Sequence, residues 1–282
     1  MGSMPAVRFV DVFSESTYRG NALAVFHDAD DLSDDEMAAV ARWTNLSETT
    51  FLCAPTDPGA DYLVRIWTTG GELPFAGHPT LGSAYAWLEA GGVPASAEGV
   101  VQQCGVGLVQ VRRDGSRLRF AAPPLIRSGP VDEADAARVT TALGLDPDDV
   151  VDLAWVDNGP GWVGVLLRSP GAVLTADPDP SACAGVKAGL VALYPPGARD
   201  DGVAAEVRAF YSDGRDFAED PVTGSLNAGL AQWLVPAGHL PDRYVAALGT
   251  AIGREGRVHV DVVDGVVWVG GATRTVVTGE RP

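Results

Sequence analysis

The chain has 282 residues, of which 46% are apolar and 20% charged, a composition that supports a buried core and excludes wholesale disorder. Its 37 acidic residues outnumber the 20 lysines and arginines, and the formal net charge of −17 disfavours nucleic-acid binding. No apolar run approaches the ~18 residues of a membrane span, and the N-terminus lacks the basic and apolar regions of a signal peptide. We therefore expect a cytoplasmic protein that binds neither nucleic acid nor membrane.

The first half of the chain predicts strands over residues 7–13, 22–26, 46–52, 62–68, 100–103, 107–113 and 117–121. Ser33 with Glu36 three residues later forms a capping box, which predicts a helix to about Thr44. Pro79 is typical of a helix start and Gly91-Gly92 of a helix stop, so a second helix is expected over 80–90. The stretch 122–130 contains Pro123-Pro124 and is the best linker candidate.

The second half repeats this order of elements. Helices are predicted over 132–143 and 225–235, and strands over 150–156, 161–167, 204–210, 258–263 and 266–269. Trp87-Leu88 aligns with Trp233-Leu234 at an offset of 146, near the end of a small-residue helix in each case. The sequence therefore predicts two similar halves, 4–124 and 125–282, each with a central helix, and the terminal strand may return to the first half.

The cysteines and the common catalytic motifs exclude several functions. Cys53, Cys104 and Cys183 are odd in number and far apart, so neither a disulfide framework nor a zinc ribbon is expected. The sequence has no GxGxxG after a strand, no P-loop, no HExxH and no GxSxG. Dinucleotide-binding, nucleotide-binding, zinc-protease and hydrolase functions lose support, and no metal is expected.

Glu48 is the first candidate for chemistry. In a strand over 46–52 it would share a face with Leu46, Thr50 and Leu52. Desolvation on an apolar face would raise the pKa of its carboxyl group, as a general acid/base requires. The alternative is an edge-strand glutamate that faces water, and this segment alone favours that alternative.

His78 is the second candidate, because it immediately precedes the predicted helix start. Free backbone N–H groups and the positive end of the helix dipole favour an anion there, and Gly77 permits close approach of the backbone. The alternative is a histidine that caps a helix in a surface loop.

The third candidate is the segment from Glu219 to Asn227, in which two acids precede a Gly-Ser helix start. Asp220 would supply a carboxylate, and the helix start at Gly224 and Ser225 would supply an anion hole beside it. The alternative is ordinary acidic capping by Asp220, Thr223 or Ser225. Similarity to the His78 loop favours function, with two helix starts facing one cleft.

These segments together resemble a known family. The shared motifs are Val10-Asp11-Val12-Phe13 with Gly20-Asn21, Ser47-Glu48-Thr49, residues 72–82 (ELPFAGHPTLG) and residues 219–225 (EDPVTGS). The chain resembles the PhzF family, the phenazine-biosynthesis-type isomerases related to diaminopimelate epimerase. The similarity extends from Val7 to about Gly271.

The resemblance implies an α+β, diaminopimelate epimerase-like fold in which each half is a curved mixed sheet around a central helix, with the active site between the halves. It implies no cofactor, no metal, a small-molecule carboxylate substrate and a homodimer. By position, Glu48 matches the proton-shuttling carboxylate, and His78 and Asp220 match groups that hold and polarise the substrate. The substrate-binding residues implied are Gly77, Gly224, Ser225 and Asn21.

The predicted function is a cofactor-independent isomerase that shifts a proton and a double bond on a small unsaturated amino or hydroxy acid, in secondary-metabolite or antibiotic biosynthesis. One alternative is an amino-acid racemase or epimerase, with Asp220 or His78 as the second base. The other is a non-catalytic homologue that binds a small molecule. Departures from the family pattern, such as Ala22 where Gly-Asn-Pro is common, leave the substrate open.

Overall fold

A computed structural model of the protein describes residues 7–212 and 217–280. The N-terminal residues on which the signal-peptide expectation rests lie outside this range. The chain forms two compact units: unit 1 comprises Met1–Ala121 and Gly270–Pro282, and unit 2 comprises Ala122–Val269. Each unit combines a mixed β-sheet with a few helices, so the expected α+β class is confirmed.

Unit 1 is built on one mixed sheet. Its strands are β1 (Val7–Val12), β2 (Asn21–Phe26), β3 (Glu48–Cys53), β4 (Tyr62–Thr68), β5 (Gly71–Leu73), β6 (Val100–Cys104), β7 (Gly107–Asp114), β8 (Arg117–Ala121) and β18 (Thr273–Gly279), and its helices are α1 (Asp34–Thr44) and α2 (Gly77–Glu89). β1 pairs antiparallel with β2 and with β18. The β2–β3 and β4–β6 pairs are parallel, and β3–β4, β4–β5, β6–β7 and β7–β8 are antiparallel.

Helix α1 begins as the sequence predicts. The Ser33 hydroxyl accepts from the backbone N–H of Glu36, and the Glu36 carboxylate accepts from the backbone N–H of Ser33. The helix ends at Asn45, whose left-handed backbone (φ 53°) closes the last turn. α1 covers β3 and β4, where Phe51 belongs to a buried apolar cluster with Met37.

Helix α2 is the central helix of unit 1, since it contacts seven of the unit's strands: β1, β2, β3, β6, β7, β8 and β18. Its small residues allow this position. A Cβ on Gly82 would lie 2.5 Å from Leu23 Cδ2, which is closer than such atoms pack, and 3.1 Å from Val10 Cγ2, so a neighbour would have to move. The helix begins at Gly77, three residues before the predicted start, because the extended backbone already ends at Ala76.

Unit 2 has the same general organisation. Its strands are β9 (Arg127–Pro130), β10 (Val150–Asp157), β11 (Val163–Leu167), β12 (Lys187–Leu193), β13 (Val203–Ser212), β14 (Phe217–Asp220), β15 (Arg243–Leu248), β16 (Gly256–Val263) and β17 (Val266–Gly271, which ends in unit 1), and its α-helices are α3 (Glu133–Ala142), α4 (Pro170–Thr175) and α5 (Gly224–Leu234). β9–β10, β10–β11, β12–β13, β13–β14 and β15–β16 are antiparallel, and β11–β12 and β13–β15 are parallel. The stretch read as a linker thus contains strand β9, which its exposed residues do not reveal.

Helix α5 packs in unit 2 as α2 packs in unit 1. It contacts β10, β11 and β16, and a Cβ on Gly229 would lie 2.3 Å from the carbonyl oxygen of Val156. Val10 and Val156 are separated by the offset of 146 that aligns Trp87 with Trp233. Both helices are largely buried, as predicted, although the two tryptophans themselves are only half-buried.

Candidate active site

Glu48 is the first residue of β3, at the point where this strand enters the sheet. β3 lies between β2 and β4, so it is an interior strand and not the edge strand of the alternative interpretation. The Glu48 side chain is 15% exposed. The Ser83 hydroxyl of α2 donates to Thr50 Oγ1 at 3.0 Å, so the face that Glu48 shares with Thr50 is the one covered by α2.

The expected place of Leu46 on that face is wrong. Leu46 packs against the cluster that contains Phe51, on the opposite side of the sheet. The strand begins only at Glu48, and residues before it do not follow the two-residue alternation of a strand. Glu48 therefore stands at the end of the α2-covered face and not in the middle of an apolar row.

His78 is the second residue of α2 and is 4% exposed. Its Nε2 atom lies 3.4 Å from Glu48 Oε2, and its Nδ1 atom lies 3.4 Å from Asn21 Nδ2. Burial lowers the pKa of His78 to about 3, so the ring is neutral at physiological pH. An amide NH₂ only donates, so Nδ1 accepts from Asn21, and the single ring proton is on Nε2. Nε2 lies beside the Glu48 carboxylate at 3.4 Å without hydrogen-bond geometry between the two groups.

Asn21 reaches His78 because hydrogen bonds to Asp11 fix the loop that precedes Asn21. The Asp11 carboxylate accepts from the backbone N–H groups of Arg19 (3.0 Å) and Gly20 (2.9 Å). A Cβ on Gly20 would lie 2.2 Å from the Val12 carbonyl oxygen, so only glycine fits there. Asn21 begins β2 just as Glu48 begins the parallel neighbour β3, so both side chains lie at the same end of the sheet.

The start of α2 completes the group in unit 1. The N-cap residue is Ala76, which makes no side-chain capping bond, so the interpretation of His78 as the cap is wrong. The first-turn N–H groups of Gly77 and His78 are consequently not satisfied by a capping side chain, and the helix dipole is positive there.

A buried hydrogen-bond chain fixes this helix start. The Thr80 hydroxyl donates to the Ala76 carbonyl (2.9 Å), Gln102 Nε2 donates to Thr80 Oγ1 (3.0 Å), and the Tyr62 hydroxyl donates to Gln102 Oε1 (2.9 Å). Sequence analysis missed Thr80 and Gln102. Nothing in their local sequence distinguishes a neutral polar side chain in a buried series of hydrogen bonds from one that faces water.

In unit 2 the structure brings Asp220, Gly224 and Ser225 to the start of α5. Asp220 ends β14, and its Oδ2 atom accepts a hydrogen bond from the Thr223 hydroxyl. Thr223 is the N-cap residue but makes no capping bond, so its capping role is wrong. The N–H groups of Gly224 and Ser225 open the helix, as at the start of α2.

Two residues that the sequence analysis missed hold Ser225. The buried Trp162 indole donates to Ser225 Oγ at 3.0 Å, and Asn158 Nδ2 donates to the Ser225 carbonyl at 2.8 Å. Both lie in the glycine-rich turn after β10, where Asp157 accepts from the N–H groups of Gly159 and Gly161. Its turn residues, followed by a buried tryptophan, were the available signal.

The part of the chain that the structure describes contains no group of three or more His, Cys, Asp or Glu side chains placed to hold a metal ion. No helix in the same ranges is long and apolar enough to cross a membrane.

Comparison with known proteins decides the family. The family model of the phenazine biosynthesis-like proteins (PhzC-PhzF) matches residues 10–280. The chain belongs to the PhzF family of isomerases. The predicted family and enzyme class are thereby confirmed.

Two curated relatives of this PhzF-family chain cover most of its length. Antisense-enhancing sequence 1 of Schizosaccharomyces pombe is 32% identical over 296 residues, which cover 96% of both chains. A trans-2,3-dihydro-3-hydroxyanthranilate isomerase of Pseudomonas aeruginosa is 31% identical over 255 residues, covering 89% of this chain and 87% of the relative.

The crystal structure of a PhzF-family protein from Enterococcus faecalis has a TM-score of 0.80 at 24% identity and covers 98% of both chains. The diaminopimelate epimerase-like fold is thus confirmed.

Proposed function

We propose that this PhzF-family isomerase moves a proton, and with it a double bond, on a small unsaturated amino or hydroxy acid without a cofactor. The substrate class is supported by the Pseudomonas aeruginosa relative, which is named for such a ring compound. The observation that carries the proposal is the buried pair of Glu48 and neutral His78 at the start of α2.

In the proposed reaction Glu48 is the proton shuttle. Its carboxylate removes a proton from one carbon, the C–H electron pair becomes the new double bond, and the old double bond opens toward a second carbon. The same carboxyl group then returns the proton to that second carbon, so no proton or electron is gained or lost. His78 is proposed to donate from Nε2 to the Glu48 carboxylate during the transfer, when the two groups, 3.4 Å apart in this structure, close to hydrogen-bond geometry.

The substrate carboxylate is proposed to bind to backbone N–H groups at an uncapped helix start, either those of Gly77 and His78 in unit 1 or those of Gly224 and Ser225 in unit 2. These donors also stabilise negative charge that develops in the transition state. The net charge of −17 does not attract an anion, so the positive helix ends must supply the local attraction. Asp220 is proposed to accept from the substrate's amino or hydroxyl group, and Asn21 to hold His78 rather than the substrate.

The same proposal covers localisation, oligomeric state and biological role. The protein is proposed to be a cytoplasmic homodimer that acts in secondary-metabolite or antibiotic biosynthesis, and its family and the proposed small-molecule substrate support this.

The reaction type can be tested with trans-2,3-dihydro-3-hydroxyanthranilate and a panel of unsaturated cyclic amino and hydroxy acids in heavy water. NMR would locate the double bond and any deuterium, and chiral chromatography would resolve stereoisomers. We expect a product with a migrated double bond, with deuterium at the new C–H position wherever the carboxyl proton exchanges. A product that differs only in configuration would identify a racemase, and saturable binding without any product would identify a binding protein.

A further inference from the structure

A buried ion pair lies directly beside Asp220 in unit 2. Arg208 of β13 donates from Nε to Glu219 Oε1 (3.1 Å) and from Nη2 to Glu219 Oε2 (2.8 Å). The two side chains are 8% and 10% exposed. The geometry is bidentate, which only a planar guanidinium provides and a lysine does not.

The third nitrogen of Arg208 joins the pair to a helix. Nη1 donates to the carbonyl oxygens of Val173 (3.1 Å) and Ala176 (2.7 Å), at the C-terminal end of α4. A cation is favourable at this end of a helix. Through one guanidinium, β13, β14 and α4 are therefore held together.

The strand register shows what this clamp does for Asp220. Glu219 lies opposite Phe210 and Asp220 lies opposite Ala209 in the antiparallel β13–β14 pair. Because successive side chains alternate, the face of β14 that carries Glu219 is bound to Arg208, and Asp220 projects from the other face. The ring of Phe217 stacks on Phe210 at 5.8 Å and fixes the start of the same strand.

The chain after Asp220 is held by close packing. A Cβ on Gly249 would lie 2.7 Å from the Pro221 carbonyl oxygen, and a Cβ on Gly256 would lie 2.5 Å from Val222 Cγ2. Asp220 thus lies between a backbone fixed by packing on its C-terminal side and a strand fixed by the Arg208–Glu219 pair on its N-terminal side.

We propose that Arg208 and Glu219 are positioning residues that set the carboxylate of Asp220 against Thr223. This inference rests on the proposed role of Asp220. A buried ion pair is weak evidence of stabilisation, because apolar residues of similar volume often stabilise a core equally well. The pair's position next to Asp220 gives it a function that stability alone does not require.

The test is a double-mutant cycle. Arg208→Gln, Arg208→Lys and Glu219→Gln would be made in the wild type and in Asp220→Asn, and kcat and KM would be measured with the substrate that the heavy-water panel identifies. We expect each single substitution to lower kcat by about 10-fold to 100-fold, as expected for a misplaced group, with a smaller change in KM. In the Asp220→Asn background the same substitutions should cost almost nothing further.

Arg199→Gln is the matched control. Arg199 makes a bidentate pair with Asp201 in the same unit, more exposed and away from Asp220 in sequence. Its loss should leave kcat unchanged in both backgrounds. Thermal unfolding of every variant identifies any that fails to fold. Glu219→Gln keeps the shape of the side chain and one acceptor, so its folding should be the least disturbed.

The outcomes separate the two proposals. If Asp220→Asn alone leaves kcat unchanged, the proposed role of Asp220 fails. If Asp220→Asn is impaired but the Arg208 and Glu219 substitutions lower kcat equally in both backgrounds, the positioning inference is overturned and the role of Asp220 stands. Unchanged kcat in folded Arg208→Gln and Glu219→Gln would overturn it as well.

Discussion

The Nε2 atom of His78 lies 3.4 Å from the Oε2 atom of Glu48, in a place where both side chains are largely withdrawn from water. Because Nδ1 accepts from Asn21, the proton of the neutral ring is on Nε2, the nitrogen nearer to Glu48. The neutral ring lies beside the carboxylate without adding a second titrating group near neutral pH.

The two buried histidines should make stability depend on pH. Burial lowers the pKa of His78 to about 3 and that of His27 to about 4, from an ordinary value of 6.5. The unfolded chain therefore binds protons below about pH 6.5 that the native chain does not bind. The stability from the neutral rings is present above pH 6.5 and is lost as the pH falls toward 4, by about 1.4 kcal/mol per pH unit for each histidine.

His27→Gln and His78→Gln serve as controls for each other. Either substitution should flatten the fall in stability between pH 6.5 and 4, measured by urea unfolding at several pH values. Glutamine at position 27 still offers an acceptor to Arg8, whose Nη1 atom lies 2.9 Å from His27 Nε2. Only His78→Gln should lower turnover, and an equal loss of turnover in both variants would count against a specific role of His78.

Gly82 and Gly229, which lie within the central helices where these pack on the sheet, should not tolerate a side chain. Gly→Ala inside a helix normally stabilises by about 1 kcal/mol. Gly229→Ala should instead destabilise by about 1–3 kcal/mol, because its Cβ would meet the backbone carbonyl of Val156. Gly82→Ala should cost less, since its nearest obstacle is the tip of Leu23.

Gly171→Ala in α4 is the control for these two variants, because its Cβ would meet only Ser169 Oγ at an ordinary 3.7 Å. Its melting temperature should stay level or rise. A melting temperature for Gly229→Ala at or above that of the wild type would show that the helix is not packed this closely on β10.

Chelation should not abolish activity. In the ranges that the structure describes, the site residues do not form a cluster of three or more metal-binding side chains. We expect turnover to persist after dialysis against EDTA. Stoichiometric zinc or iron in active protein, with activity lost on chelation and restored by metal, would contradict this.

Much of the fold was predictable where local patterns decide it. The Ser33–Glu36 capping box marked the start of α1 correctly, and the small residues of α2 and α5 predicted two buried helices. β9 was not predicted, because its residues are all exposed and show no alternation. Its existence depends on pairing with β10, which no local pattern contains.

The site was predictable to the extent that its residues titrate or open a helix. Glu48 and His78 were identified one by one, and the structure places them side by side at the starts of β3 and α2. Trp162 and Gln102 were missed, because their importance comes from partners 63 and 22 residues away in the sequence. The Arg208–Glu219 pair was missed for the same reason, since only the β13–β14 register brings it together.

The central claim is that Glu48 is the sole proton shuttle. Glu48→Gln keeps the size of the side chain but does not accept a proton. Ligand binding should persist, because the carboxylate is proposed to bind at a helix start. Turnover should fall by on the order of 10² to 10⁴, whereas Asp220→Asn should cost less, and Glu98→Gln, on the surface, should cost nothing.

The comparison of kcat in Glu48→Gln and Asp220→Asn tests this claim most directly. The account predicts that Glu48→Gln is the more severely impaired of the two while it still binds the substrate. A Glu48→Gln enzyme with near wild-type turnover beside an inactive Asp220→Asn enzyme would contradict it, and would assign the base to Asp220.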